Sequence, residues 1–192
     1  MNGEIVHFEK ILLKQIYMKK ILLALLLFTA GNVGLIKSQT MNNKSLETRI
    51  TELEDRLDLK KLVDTFSVLA DQKDAKTQAL LFTDDAEVKT YIGDNLIMTL
   101  NGRKQIEETF ENYLNTLSFV YHINGQQSVD IKGDHATGIS YCQVTLSSTV
   151  DGKNVMTMQG VYYNDEYKKV DGIWKISKRT SYFVWRDSKT IE

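Results

Sequence analysis

Between Gly133 and Trp185 the chain reads GDHATGISYCQVTLSSTVDGKNVMTMQGVYYNDEYKKVDGIWKISKRTSYFVW. Apolar and polar residues alternate along the runs Ala136 to Val150, Val155 to Tyr167 and Ile173 to Trp185. A period of two marks a strand with one buried face. The runs are broken at Asp151-Gly152-Lys153-Asn154 and Val170-Asp171-Gly172, and Asp-Gly pairs accept the left-handed backbone of a tight hairpin turn. Just upstream, Phe119 to Ile131 alternates in the same way and ends at Lys132-Gly133-Asp134-His135. Consecutive long strands joined by tight turns predict an antiparallel meander.

Further upstream the period changes. Leu46, Ile50, Leu53 and Leu57, then Leu59, Leu62, Val63, Phe66, Leu69 and Ala70, follow one another mostly at steps of three and four, the spacing of an amphipathic helix. One helix, or two joined near Asp58, runs to about Gln72. Its first half also reads as a coiled-coil segment, though two heptads are too few to establish one. A short helix from Ala75 to Phe82 ends in a turn at Thr83-Asp84-Asp85. Strands at Ala86 to Ile92 and Leu96 to Leu100 flank Gly93-Asp94-Asn95, and Ile106, Phe110, Tyr113, Leu114 and Leu117 mark a third helix. The order predicts an α+β domain, with helices on one face of a curved antiparallel sheet and a pocket between the layers.

Composition narrows the function classes. The 24 basic and 25 acidic side chains leave a net charge of -1, so no basic field argues for a nucleic-acid partner. With one cysteine, Cys142, no intrachain disulfide can form, and an alternating strand makes it a small buried hydrophobe. Met18-Lys19-Lys20 followed by Ile21-Leu22-Leu23-Ala24-Leu25-Leu26-Leu27-Phe28 has the order of a secretory signal peptide. Met18 is then the natural start, with cleavage after Ser38 or Ala30; a retained membrane anchor is the alternative. The expected division is residues 1–39 as extension and signal and 40–192 as the domain, exported to a periplasm or the exterior and free of the membrane once cleaved.

The helix–helix–hairpin–helix–meander order carries four local sequences: Leu59-Lys60-Lys61-Leu62-Val63 with Leu69-Ala70-Asp71; Leu81-Phe82-Thr83-Asp84-Asp85-Ala86; Gly102-Arg103-Lys104-Gln105-Ile106; and Gly172-Ile173-Trp174-Lys175-Ile176 before Arg179. In this order they resemble the SnoaL-like branch of the nuclear transport factor 2-like superfamily, from about Leu46 to Arg186. The resemblance implies a cone-shaped fold, a sheet wrapped around the first helix with a pocket at its wide end. It also implies one of several functions: cofactor-independent dehydratase, isomerase, cyclase or dehydrochlorinase, or a member that only binds ligands or assembles. Fold alone does not choose among them.

Two residues stand out for chemistry. Of the three histidines, His7 precedes the apolar run and His135 falls in a hairpin turn, leaving His122 on a strand beside Val120 and Asn124. Asp71 ends the first helix after the apolar stretch Phe66-Ser67-Val68-Leu69-Ala70, where the helix dipole disfavours negative charge and a histidine hydrogen would compensate it. The resemblance implies that they pair, since some SnoaL-like enzymes carry an aspartate–histidine dyad at matching places. The dehydrochlorinase has a lysine five positions before that aspartate, where Phe66 stands here, which argues against the same leaving-group chemistry.

Phe66, Tyr91, Tyr113, Asn124, Tyr141, Tyr162 and Trp185 are the candidate ligand contacts, with a tyrosine hydroxyl or Asn124 to steady an oxyanion. Arg179 reads as one half of a sheet-face ion pair. Asp84 and Asp85 read as a turn, and neither a metal nor a cofactor is expected. The expected ligand is a small apolar or carbonyl-containing molecule. The expected assembly is a homodimer through the outer sheet face, using Val144, Leu146, Met156, Met158 or Tyr163. Two readings remain open, a cofactor-free lyase or isomerase and a non-catalytic binding or assembly module.

Overall fold

The computed structural model describes residues 45–191; the apolar run read as a signal peptide lies outside them. α1 (Leu46–Asp71) is one unbroken helix of 26 residues that Asp58 does not divide. Leu59, Leu62, Val63, Phe66 and Ala70 bury its inner face, each large side chain contributing about 1.5–3 kcal/mol in transfer terms. α2 (Ala75–Ala79) starts at Asp74, whose side chain accepts the Thr77 N–H.

β1 (Phe82–Ile92) and β2 (Asn95–Asn101) follow, then α3 (Arg103–Asn115), β3 (Leu117–Lys132), β4 (His135–Val150), β5 (Lys153–Val170) and β6 (Ile173–Ile191). Thr83-Asp84-Asp85, expected as a turn, lie inside β1. The strand reaches back to Phe82, which pairs with Ile176, and a register shift before Glu87 absorbs the intervening residues. Arg103 holds this stretch, donating Nη2–H to the Phe82 carbonyl at 2.7 Å and pairing with Asp84 at 2.6 Å.

The sheet has six strands in the order β2-β1-β6-β5-β4-β3. Neighbours are antiparallel except β1 and β6, which run parallel. The Asp151-Gly152 and Asp171-Gly172 turns have positive φ at both residues, 51° and 74°, 51° and 79°, the mirror-image turn geometry that suits right-twisted strands. Register shifts at Asn124/Gln127, Gly160/Val161 and Glu166/Tyr167 add local bends. The result is a curved, open sheet with the helices on its inner face.

Two adjoining clusters fill that inner face. Leu59, Phe82, Ile106, Trp174 and Ile176 belong to one, and Ala70, Leu114, Val120, Cys142, Val144, Val161 and Tyr163 to the other. Asp55, buried on α1, accepts from Trp174 Nε1–H at 2.9 Å and Lys169 Nζ at 2.5 Å, tying the helix to the β5–β6 hairpin. Val144, Leu146 and Tyr163, expected on an outer pairing face, are buried in the inner cluster instead. Strand alternation then turns their neighbours outward: Tyr141, Tyr162, Tyr182 and Tyr91 form a ladder of rings across four strands, with centroids 5.9, 4.8 and 5.1 Å apart in turn.

Candidate active site

Asp71 is the last residue of α1, and the helix closes around it. Asp74 N–H donates to Leu69 O and Lys73 N–H to Ala70 O, both at 2.9 Å, while Lys73 takes the left-handed backbone at φ 57°. This pair of reversed bonds is a Schellman closure with lysine where glycine is usual. The Lys73 side chain earns the strained position: its ammonium donates to the carbonyl of Leu117 at the start of β3. The end of α1 and the beginning of β3 are thereby pinned together, five residues ahead of His122.

β3 is an edge strand. His122 donates its backbone N–H to Asp71 Oδ2 at 3.3 Å, and its ring Nδ1 lies 2.6 Å from Asp71 Oδ1. A carboxylate can only accept, so Nδ1 carries the hydrogen and Nε2 keeps a lone pair. The His122 side chain is 8% exposed and that of Asp71 26%. Burial depresses the imidazole pKa below its ordinary 6.5; Asp71 opposes this through hydrogen bond and charge, and the positive charge of Arg179 adds to the depression. At neutral pH the ring is therefore an uncharged base with a fixed tautomer.

The surroundings hold this pair rather than solvate it. Asn124 donates Nδ2–H to Asp64 Oδ1 at 3.0 Å and Val63 O at 3.4 Å, and accepts from Ser67 Oγ at 3.0 Å. Both ends of its amide are committed to α1, so Asn124, expected to meet a ligand, is a strut between helix and strand. Phe66 is buried at 6.0 to 6.2 Å from the rings of Phe82, Phe110 and Tyr163.

Arg179, 1% exposed, sits between Phe66 and Tyr163, its guanidinium 4.2 and 4.3 Å from their centroids. It donates Nε–H and Nη2–H to Asp165 at 2.9 and 2.7 Å, and Tyr167 O–H donates to the same carboxylate at 2.8 Å. Burial alone would lower the Arg179 pKa; Asp165 reverses the direction and holds it raised. Its Nη1 has no hydrogen-bond partner. Asp165 and Tyr167 escaped the sequence reading, although the alternation Val161, Tyr163, Asp165, Tyr167 could have placed them on one face. Cys142 is buried, and burial pushes its thiol pKa up to about 12.

The other candidates separate. Tyr91, Tyr141 and Tyr162 belong to the outer ladder. Trp185 lies outside too, its indole across Gly160, where an added Cβ would stand 2.1 Å from Nε1. These four do not share the face of His122, because Val161, Tyr163 and Cys142 beside them turn inward. Tyr113, half-exposed on α3, has its phenol pKa raised by partial burial, an effect Arg186 offsets in part.

A pocket was expected at the dyad, but the adjoining inner face is packed with Leu114, Val120, Val144, Phe110 and Phe183. Two open hollows lie elsewhere. One follows α1 from Leu57 to Leu69; the other is on the outer face between Ser128, Asn164, Glu166 and Lys178. Among the described residues, no three His, Cys, Asp or Glu side chains gather as a metal site, and no helix is long and apolar enough to cross a membrane.

With this geometry in hand, known proteins give the context. The family model described as SnoaL-like domain matches residues 51–180. An uncharacterised Mycobacterium tuberculosis protein is 26% identical over 131 residues, 68% of this chain and 86% of its own length. Among solved structures, a scytalone dehydratase-like protein from Novosphingobium aromaticivorans matches with TM-score 0.63 at 21% identity, over 75% of this chain and 93% of that one. A hexachlorocyclohexane dehydrochlorinase from Novosphingobium barchaimii matches with TM-score 0.63 at 20% identity, over 73% and 94%. At these identities the structural likeness speaks for the fold alone.

Proposed function

Because the chain belongs to the SnoaL-like domain family, we propose that it binds a small organic molecule on the inner face of its sheet and acts there as a cofactor-independent lyase or isomerase. The observation that carries this reading is the 2.6 Å contact between His122 Nδ1 and Asp71 Oδ1. It leaves a neutral, oriented imidazole in a largely apolar setting, which is what proton abstraction next to a carbonyl requires. His122 Nε2 takes the proton, and the C–H pair becomes a C=C bond. A leaving group on the next carbon departs with its electrons, or the proton returns elsewhere to complete an isomerisation. Asp71 stabilises the imidazolium formed in between.

Phe66 and Tyr163 favour an apolar ligand body, and packing at the dyad means that such a ligand enters by displacing side chains such as Phe110 or Phe183. The N-terminal apolar run makes the protein an exported one in this proposal.

The test is deuterium exchange at the acidic C–H positions of a panel of small carbonyl compounds, followed by proton NMR in heavy water, with wild type beside His122→Gln. Exchange by the wild type and its loss in the variant is the expected result. Equal rates in both would remove His122 from the chemistry. A second reading, a binding or assembly module without turnover, draws on the filled inner face and on the outward-facing, half-buried tyrosine ladder; it predicts no exchange in either protein and ligand retention in native mass spectrometry.

A further inference from the structure

The first three turns of α1 carry an apolar stripe that the domain does not use. Leu46, Ile50, Leu53 and Leu57 are 70%, 45%, 61% and 69% exposed. At 100° per residue they lie roughly 180° around the helix from Asp55, Leu59 and Leu62, which face the core. Their steps of four, three and four are those of a coiled-coil seam, with Leu46 and Leu53 at d and Ile50 and Leu57 at a. Past Leu57 the stripe becomes polar at Lys60 and Asp64, which pair with each other at 2.5 Å.

The charges beside the seam select an occupant. Glu47 and Glu54 fall at e positions, Arg49 and Arg56 at g positions. We propose that this stub is a pairing surface for a second copy of the same chain, docked parallel and in register. In that arrangement Arg49 of each copy meets Glu54 of the other, giving two ion pairs related by the twofold axis. An antiparallel partner would set arginine against arginine and glutamate against glutamate. Isoleucine at the a position between the two d leucines, Ile50 between Leu46 and Leu53, also favours two strands over three or four. Arg56 is spent within its own domain, where Nη1–H donates to the Val129 carbonyl at 3.0 Å, so the charge pattern closes at Arg49 and Glu54. The outer tyrosine ladder is a rival pairing surface, but its rings already stack on one another and no charge complementarity singles out a partner for it.

The experiment is sedimentation velocity of the full chain up to about 100 µM, a range suited to a micromolar self-affinity. A dimer is expected. Ile50→Glu with Leu53→Glu should make it a monomer that still unfolds in one cooperative transition, because both side chains are exposed. Arg49→Glu should weaken pairing by about tenfold or more, and adding Glu54→Arg should restore it. Leu53→Cys should give a disulfide-linked dimer under mild oxidation, since parallel register puts the two copies of position 53 face to face.

A monomeric wild type overturns the proposal. So does a dimer that ignores the stub variants and dissociates on Tyr162→Glu. A cross-link that forms only when Ile50→Cys is mixed with Leu53→Cys overturns it as well, being the mark of antiparallel pairing.

Discussion

Asp71 receives two hydrogen bonds from one residue, the ring Nδ1–H and the backbone N–H of His122, at 2.6 and 3.3 Å. The carboxylate therefore fixes both the rotation of the imidazole and its tautomer. Asp71→Asn offers an oxygen to only one of these donors and an N–H to the other, so the ring hydrogen moves to Nε2 and the base is lost. Carbonyl proton exchange should fall by about 10²- to 10⁴-fold, the range for losing a positioned base or its orienting partner. Exchange rate and thermal melt, measured together, separate this from unfolding.

Protonation of His122 should also appear in stability. The folded pKa is depressed below 6.5 by burial, so in the window just under 6.5 the unfolded chain binds a proton that the folded chain refuses. Stability therefore rises with pH across that window and falls on acidification through it. Urea midpoints at a series of pH values should show this slope, and His122→Gln should flatten it. In the enzyme reading, the acid limb of kcat/KM falls below the usual histidine range for the same reason.

The Arg179–Asp165 pair lies between aromatic rings and is almost free of water. Asp165→Leu leaves a guanidinium buried without its anion and should cost about 3–5 kcal/mol in urea unfolding. Combining it with Arg179→Met and Tyr167→Phe removes every group that depended on that carboxylate. The triple variant should recover most of the loss, as apolar replacements of buried ion networks do.

Trp185 covers Gly160 closely, and a Cβ there would meet the indole at 2.1 to 2.8 Å. Gly160→Ala should lift the ring away from the sheet. Trp174 is 3% exposed and serves as the unmoved reference, so a red shift in the remaining fluorescence reports Trp185. The change in stability should be small, within about 1 kcal/mol, because the indole is already 46% exposed.

The element order and the hairpin turns were legible because both are local: alternation marks a strand, and Asp-Gly admits positive φ. Which parity of each strand faces the helices was not. Val161, Tyr162 and Tyr163 are all bulky and largely apolar, so alternation alone gives no reason to send Tyr162 outward and its neighbours inward. Bulges at Gly160/Val161 and Glu166/Tyr167 further break the count along β5 and β6. Asp71 could be singled out by the cost of a carboxylate at a helix end and His122 by setting aside the other two histidines, but that they pair was implied only by the family resemblance. The Lys73 bond that pins α1 to β3, and the capture of both ends of the Asn124 amide, depend on residues 44 to 61 positions apart, beyond the reach of any local pattern.

β6 is the last strand made, yet it stands third in the sheet, between β1 and β5. The early hairpin β1–β2 has no other strand to join among the described residues, so it waits on the nineteen residues of β6 before the two halves become one sheet. A chain shortened within β6 is thus split through its middle, where one trimmed at an edge strand would merely lose a border. Completion of the sheet is postponed until β6 has been made, and the growing chain stays open to whatever machinery handles it until that strand is available to close the seam.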